Sequence, residues 1–203
     1  MDNSTTTKII NNNNSNLLKK VKILRCLTFS IFLCLISQFA TSQTTIYSED
    51  FSGQDGKGIN GSGSDFSGVT WTVDATAASM SGTNDFMEVV TDELGVRDTD
   101  GECIWYSPSI AINCYENISI SIALSETGYL EGSDYVDCEY KIDAGSWTNL
   151  SNGYQSDDFT SATATASSLS GSSLQIRIKA TTNYESETIF VDDILLQGTS
   201  KLC

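Results

Sequence analysis

Three segments of this chain alternate strictly between apolar and polar residues, and this alternation limits the fold more than any other feature. In the segment Asn117–Leu124 every second residue is isoleucine or leucine, and most residues between them are serine. The segments Asp134–Ile142 and Leu174–Ala180 repeat the pattern with polar or charged residues between the apolar ones. Because successive side chains of a strand point to opposite faces, a period of two predicts half-buried strands.

The other strand candidates are short and are separated by Gly, Ser, Asn and Asp. They are Thr45–Phe51, Val69–Val73, Phe86–Val90, Leu94–Arg97, Glu102–Tyr106 and Thr188–Gln197. The turn Asp98–Gly101 is expected to join two neighbouring arms. The Gly-rich segment Gly53–Gly68 and the Ser/Thr/Ala-rich segment Thr160–Ser173 are interpreted as loops. Nine or ten short strands without a helical stripe favour an all-β, two-sheet sandwich.

Residues 1–43 have the features of a secretory signal peptide. A basic cluster ending at Arg25 precedes an apolar run, Leu27–Phe39, and a small-residue site at Ala40–Ser42. The apolar run is shorter than the roughly 20 residues that a membrane-spanning helix needs. We therefore expect cleavage, no membrane insertion afterwards, and one secreted or cell-surface domain over residues 44–203.

Charge and composition exclude several classes of function. The chain has a net charge of −15 and no histidine; without residues 1–43 it loses five of its 11 cationic residues and one of its 26 acidic ones, which leaves about −19. Such a surface repels phosphate backbones, so nucleic acid is not an expected partner. The absence of histidine removes Ser-His-Asp triads and histidine metal sites. We expect a non-catalytic protein.

Four cysteines follow residue 43: Cys103, Cys114, Cys138 and Cys203. In an oxidising compartment they allow two disulfides in one of three connectivities. Cys103 and Cys114 bracket an expected strand–turn–strand unit, so we predict a Cys103–Cys114 disulfide. Cys138 and Cys203 are then left as a second candidate pair.

Several short motifs resemble those of exported jelly-roll modules. They are the opening segment Tyr47–Phe51, the Gly-rich loop, Val69–Trp71 and the closing segment Phe190–Gly198. This class, found in bacterial surface proteins, includes MAM-like domains and carbohydrate-binding modules. The resemblance implies a jelly-roll sandwich whose first and last strands lie side by side, with a non-catalytic accessory role. The sequence departs from the class at Ser52, where an acidic residue is common.

Pairing of the first and last strands would bring acidic residues together. Glu49 or Asp50, the loop around Asp55, and Asp192 or Asp193 would then converge, and Ca²⁺ takes six to eight oxygen ligands of this kind. Strand parity places one of the two C-terminal aspartates on the core side and does not choose between them. We therefore predict a structural Ca²⁺ site, with a solvated Asp-Asp pair as the alternative.

Aromatic residues suggest the ligand class. Trp71 and Trp105 lie in apolar contexts and are expected in the core, whereas Trp147 follows a turn and Tyr129 and Tyr154 lie in polar segments. Exposed rings of this kind stack on sugar rings in sugar-binding sandwiches. The sequence therefore predicts a secreted, non-catalytic module that binds extracellular carbohydrate. The alternative is a structural or adhesive module of a cell-surface assembly, with a surface protein as partner.

Overall fold

The computed structural model describes residues 42–203, which form strands and turns and contain no helix. The predicted signal peptide therefore lies outside the described residues, apart from its last two positions. Nothing in residues 42–203 is a helix that could cross a membrane. The strands of this part of the chain are β1 (Gln43–Glu49), β2 (Gly58–Gly61), β3 (Gly63–Asp65), β4 (Thr72–Asp74), β5 (Gly82–Val90), β6 (Glu93–Arg97), β7 (Cys103–Tyr106), β8 (Ile110–Ala111), β9 (Tyr115–Thr127), β10 (Tyr135–Ile142), β11 (Thr148–Ser156), β12 (Ser161–Leu169), β13 (Ser173–Thr181) and β14 (Thr188–Ser200).

The strands form two antiparallel sheets. Sheet A has the order β3-β2-β5-β6-β14-β9-β12, with β1 also paired to β14. Sheet B has the order β10-β13-β7-β4, with β8 also paired to β13. Strand β11 pairs with β10 at both of its ends and with β12 at Ser151, so it connects the two sheets. The predicted all-β, two-sheet jelly-roll sandwich is confirmed, and β1 and β14 lie side by side.

The core lies between the sheets and is made by the alternating strands. Ile120 and Ile122 of β9 and Ile176 of β13 belong to one buried cluster, and all three are 0–2% exposed. The predicted core residues Trp71 and Trp105 are 1% and 0% exposed. Fully burying a large apolar side chain contributes about 1.5–3 kcal/mol. The period-two pattern therefore stabilises the fold as well as predicting it.

Two segments that we interpreted as loops contain strands. The Ser/Thr/Ala-rich segment forms β12, in which Ala164 is fully buried and pairs with Ile122 of β9. Alanine and threonine alternate there, so the period-two pattern is present with side chains too small to mark it as a strand. The Gly-rich segment forms the β2–β3 hairpin. A Cβ at Gly58 would lie 2.4 Å from the Met87 carbonyl oxygen of β5, so glycine allows that strand to pair.

The two arms expected around Asp98–Gly101 do not form a hairpin. Strand β6 pairs with β5 and β14 in sheet A, whereas β7 pairs with β13 and β4 in sheet B. Asp98 and Asp100 have φ values of 45° and 47°, in the left-handed region that aspartate tolerates. The turn therefore carries the chain from one sheet to the other.

The predicted Cys103–Cys114 disulfide is wrong, because its two cysteines do not belong to one hairpin. The disulfide joins Cys114 to Cys203, with a Cα–Cα distance of 5.4 Å across 89 residues of sequence. The register of β9 with β14, which pairs Tyr115 with Ser200, brings these two residues together. Cys103 and Cys138 are free and buried, so the second candidate pair, Cys138–Cys203, is wrong as well.

We expect both free thiols to be inert in the native protein. Burial, with the charges of Asp74 and Glu102, raises the pKa of Cys103 to about 12, and burial also raises the pKa of Cys138. The thiolate is the reactive form, so both groups are protected by protonation as well as by burial. Peptide mapping after iodoacetamide treatment should find Cys103 and Cys138 unmodified in native protein and alkylated in guanidinium. Modification of either residue under native conditions would contradict this assignment.

Candidate functional site

A row of paired charges crosses the solvent side of sheet B. The alternation that buries the apolar residues of β10 and β13 places Asp137, Glu139, Arg177 and Lys179 on the opposite face. The Lys179 Nζ lies 2.7 Å from Asp137 Oδ2 and 3.2 Å from Glu139 Oε2. The Arg177 Nε lies 2.6 Å from the same Glu139 oxygen. Cross-strand register therefore sets the whole network.

These charges are well shielded from water. Asp137 and Glu139 are each 6% exposed, so each depends on its partners for stabilisation of its charge. Burial opposes ionisation of Glu139, but the hydrogen bonds and charges of Arg177 and Lys179 outweigh it and lower the Glu139 pKa. Burial likewise acts to lower the pKa of Lys179, and the two carboxylates outweigh it and raise that pKa. Glu139, Arg177 and Lys179 are therefore held in their charged forms.

Aromatic rings flank this row at one end. Trp147, between β10 and β11, has its ring centroid 6.1 Å from that of Tyr106. The Arg177 Cζ lies 4.3 Å and the Lys141 Nζ 4.6 Å from the Trp147 ring centroid. Cations over an indole ring are attracted by its π-electron quadrupole. Trp147 therefore fixes the position of Arg177 as well as presenting part of its own surface.

A second pair of rings flanks the row at the other end. Tyr154 of β11 stacks on Tyr135 of β10, with centroids 5.9 Å apart and planes inclined by 23°. The Tyr135 hydroxyl donates a hydrogen bond to Glu102 Oε2 at 2.5 Å. Burial, together with this hydrogen bond and the Glu102 charge, raises the Tyr135 pKa. Tyr154 remains 54% exposed above a ring that is fixed in place.

Two of the three residues predicted to bind ligand thus lie on one face. Trp147 and Tyr154 flank the charged row, whereas Tyr129 lies in the loop between β9 and β10 and is 71% exposed. Tyr106, Tyr135 and the charged residues of the row were not predicted from the sequence as ligand-binding residues. Their polar positions in the alternating strands were visible, but their neighbours depend on strand register.

The carboxylates predicted near β1 hold local turns. Glu49 Oε1 accepts hydrogen bonds from the Phe51 backbone N–H at 3.1 Å and from the Gln54 side chain at 2.6 Å. Asp55 Oδ1 accepts one from the Asp92 backbone N–H at 2.9 Å. Asp50 Oδ1 likewise accepts one from the backbone N–H two residues further on. These three carboxylates therefore have partners within the fold.

The parity argument for Asp192 and Asp193 is wrong, because β14 has a bulge there. Its register with β9 shifts between Asp192 and Leu195, and Asp193 has φ 48°. A bulge adds one residue and breaks the alternation, so Val191 and Ile194 are both buried and neither aspartate lies in the core. Burial, followed by the charges of Asp193 and nearby aspartates, raises the Asp192 pKa. A Ca²⁺ ion at Glu49, Asp50, Asp55, Asp192 and Asp193 stays a prediction.

Two other groups of acidic side chains bring three carboxylates together in the part of the chain that the structure describes. In each group one oxygen per residue lies within 4.8 Å of the others; the groups are Glu131, Asp134 and Glu187, and Asp85, Asp98 and Glu185. In the first, burial raises the pKa of Asp134 to about 6. Burial, with the charges of Asp134 and Glu131, raises the pKa of Glu187 to about 7. Acidic clusters able to hold a cation therefore exist, away from the predicted place.

A separate cavity of about 610 Å³ lies on the outer face of sheet A. Phe190 lines it together with Glu93, Asp192 and Asp193, and residues 123–125 of β9 and 161–163 of β12 complete it. It offers one aromatic ring and no cationic side chain among its lining residues. Its chemistry therefore differs from that of the sheet B face, which carries four rings and paired charges.

No protein-family model matches this chain, and no curated protein matches it. Similar solved structures include carbohydrate-binding modules and an adhesin domain. One comes from work on endo-acting O-glycanases that members of the human gut microbiota express to initiate mucin breakdown (8% identity, TM-score 0.48, covering 77% of this chain and 100% of that one). Another is the K3 cleaved adhesin domain of Lys-gingipain from Porphyromonas gingivalis w83 (10%, 0.44, 77% and 99%).

A third is the CBM22-1 xylan-binding domain from Paenibacillus barcinonensis Xyn10C, with 12% identity and a TM-score of 0.40, covering 81% of this chain and 99% of that one. These structures are of the kind that the sequence motifs resemble. Their identities and TM-scores are too low to assign a ligand to this chain.

Proposed function

We propose that this chain is an extracellular, non-catalytic carbohydrate-binding module, and that the glycan binds across the outer face of sheet B. One observation carries the proposal: two pairs of aromatic rings flank a row of mutually paired charges on one solvent-facing surface. A sugar ring has an apolar C–H face and a polar edge of hydroxyl groups. The rings suit the first, and the charged donors and acceptors suit the second.

The row of charges is organised before any ligand binds. Lys179 and Arg177 are held by Asp137 and Glu139, so little side-chain entropy is lost when a hydroxyl group replaces water beside them. Hydrogen bonds to ionised groups are roughly twice as strong as neutral ones. The two cations and two carboxylates cancel in net charge. An uncharged polysaccharide is therefore the ligand class that this face fits best.

Binding without bond cleavage fits the carboxylates of this face. A glycosidase needs one carboxylic acid with a raised pKa to protonate the leaving group. The pKa of Glu139 is lowered, and Asp137 is bound to Lys179 and accepts a hydrogen bond from Asn149 at 2.6 Å. Neither carboxylate is therefore suited to act as the general acid of a glycosidase.

The Tyr154 ring is the best single test of this proposal. We expect Tyr154→Ala to weaken binding at least about tenfold, because truncating an exposed aromatic ring removes the surface on which a sugar ring would stack. Affinity electrophoresis in gels containing soluble neutral polysaccharides (glucan, mannan, xylan or galactan) measures the effect. Tyr184→Ala is the matched control, since Tyr184 is 55% exposed and lies in a loop before β14.

Three outcomes would contradict the proposal. If no polysaccharide retards the wild-type protein, carbohydrate is the wrong ligand class. That result would favour the alternative, an adhesive module with a surface protein as partner. If Tyr184→Ala weakens binding as much as Tyr154→Ala, the glycan does not bind specifically on the outer face of sheet B. If Phe190→Ala abolishes binding while Tyr154→Ala preserves it, the ligand lies in the sheet A cavity.

A further inference from the structure

We infer that Glu131, Asp134 and Glu187, with the side-chain oxygen of Asn183, form a binding site for a divalent cation, best suited to Ca²⁺. The site lies between the β9–β10 loop, residues 128–134, and the β13–β14 loop, residues 182–187. It is distinct from the residues predicted near β1 and β14. It does not depend on the proposed carbohydrate binding.

The spacing of the carboxylates fits one ion. The three oxygens lie within 4.8 Å of one another. Ca²⁺–oxygen distances are 2.3–2.6 Å, so two oxygens bound to one ion are at most about 4.6–5.2 Å apart. No side-chain movement beyond rotamer adjustment is therefore required for all three to coordinate the same ion.

Buried oxygens without partners point to a missing ligand. Glu187 is 2% exposed and Asp134 is 1% exposed. The Glu187 Oε2, the Glu131 Oε2 and the Asn183 Oδ1 are buried and have no hydrogen-bond partner among the described residues. Buried polar atoms are almost always paired, and buried charges are paired or coordinate metals. The ion pairs of the described chain lie elsewhere, so no lysine or arginine satisfies these carboxylates.

The fold forces these charges together. A Cβ at Gly128, which has φ 107°, would lie 2.4 Å from the Ser186 carbonyl oxygen, so glycine lets the two loops touch through their backbones. The Asn183 Nδ2 also lies 3.5 Å from Ser133 Oγ. Three like charges held this closely in a shielded place repel one another. A cation between them removes that repulsion and supplies the absent partner.

The donor atoms decide the kind of ion. All four are carboxylate or amide oxygens, which suit hard cations and not the transition metals that prefer nitrogen or sulfur. Ca²⁺ tolerates irregular geometry and bidentate carboxylates, whereas Mg²⁺ needs near-ideal octahedral coordination. The second acidic group does not support the same inference. Its buried member, Asp85, already accepts hydrogen bonds from Ser81.

Calcium titration of the chelator-treated full chain tests the site. We expect saturable binding by calorimetry, and a rise in Tm of about 5–10 °C at a Ca²⁺ concentration 100 times Kd. Glu187→Gln should weaken binding at least tenfold and therefore lose at least about half of that rise, because it removes a charged ligand. Glu116→Gln is the control, since it makes the same change at an exposed position of β9.

The variant also reports on the site without the ion. Since Glu187→Gln removes one of three repelling charges, its Tm in chelator should equal or exceed that of the wild type, which separates lost binding from misfolding. The inference is overturned by the absence of heat and of a Tm shift up to about 10 mM Ca²⁺. It is also overturned if Glu187→Gln and wild type respond alike, or if Mg²⁺ gives the same affinity.

Discussion

Replacing Lys179 with methionine is expected to lower the free energy of unfolding by about 3–5 kcal/mol, because it leaves buried carboxylates without their cation. Lys179 contacts both Asp137 and Glu139, and each carboxylate is 6% exposed. Glu139 keeps Arg177, so most of the cost falls on Asp137, which keeps Asn149 as its hydrogen-bond donor. Urea unfolding followed by fluorescence measures the change.

The exposed pair Lys57–Asp65 provides the control. Its N–O distance is also 2.7 Å, but the Asp65 side chain is 51% exposed. Solvent already stabilises both charges there, so Lys57→Met should cost a small fraction of what Lys179→Met costs. Adding Asp137→Asn to Lys179→Met should recover part of the loss, since it removes the unpaired charge. Equal losses at the two lysines would contradict the network as described.

The same network sets the direction of a pH effect. The folded-state pKa of Glu139 is lowered, so its contribution to stability is present above its unfolded value of about 4.3 and is lost as pH falls through the folded value. The pKa of Lys179 is raised, so its contribution is present below about 10.4 and is lost as pH rises through the folded value. The difference between wild type and Lys179→Met should therefore be constant near neutrality and shrink in acid.

Removing the Cys114–Cys203 disulfide is expected to cost about 4–5 kcal/mol, because the bridge closes a loop of 89 residues. Cross-linking so long a loop reduces the entropy of the unfolded chain. The double variant Cys114→Ser/Cys203→Ser should lose this stabilisation in urea unfolding. The bridge lies beside the end of β14, where the Lys201 backbone N–H donates a hydrogen bond to the Cys114 carbonyl oxygen at 2.9 Å. Without the bridge, this end of β14 should fray first.

A reductant provides the matching control. Dithiothreitol should lower the Tm of the wild type to that of the double variant and leave the variant unchanged, because Cys103 and Cys138 form no bridge. Peptide mapping should recover Cys114 joined to Cys203. A fragment that joins Cys103 to Cys114 would contradict the structure and restore the pairing predicted from the sequence.

The strands that could be predicted from the sequence are those with a clear local alternation of apolar and polar residues. Strands β9, β10 and β13 have long apolar alternation, so their faces were assigned correctly before any pairing was known. Strand β12 was missed because alanine and threonine carry little of that contrast, although Ala164 is as deeply buried as Ile122. Strands β6 and β7 were recognised, but their separation into different sheets depends on contacts remote in sequence.

The candidate site likewise has some features that the sequence predicts and others that depend on strand pairing. The exposure of Tyr154 could be expected from its polar surroundings, but its stacking on Tyr135 depends on β10–β11 register. Two members of the acidic group, Glu131 and Asp134, lie only three residues apart in the sequence. Glu187 joins them only because β9 and β14 pair, with Thr127 opposite Thr188. Pairing between remote strands therefore creates chemistry that spacing along the chain does not reveal.

Strand β14 has a consequence for how the protein is made. It pairs with β9 on one side and with β6 and β1 on the other, so it lies within sheet A, yet it follows every other strand in chain order. Until β14 is synthesised, β1, β6 and β9 each have an unpaired edge. Such edges can pair with strands of other chains. Pairing of β1 with β14 should also be slow, because almost the whole described chain separates these two strands in sequence. Newly made chains should therefore depend on holding factors until translation reaches β14.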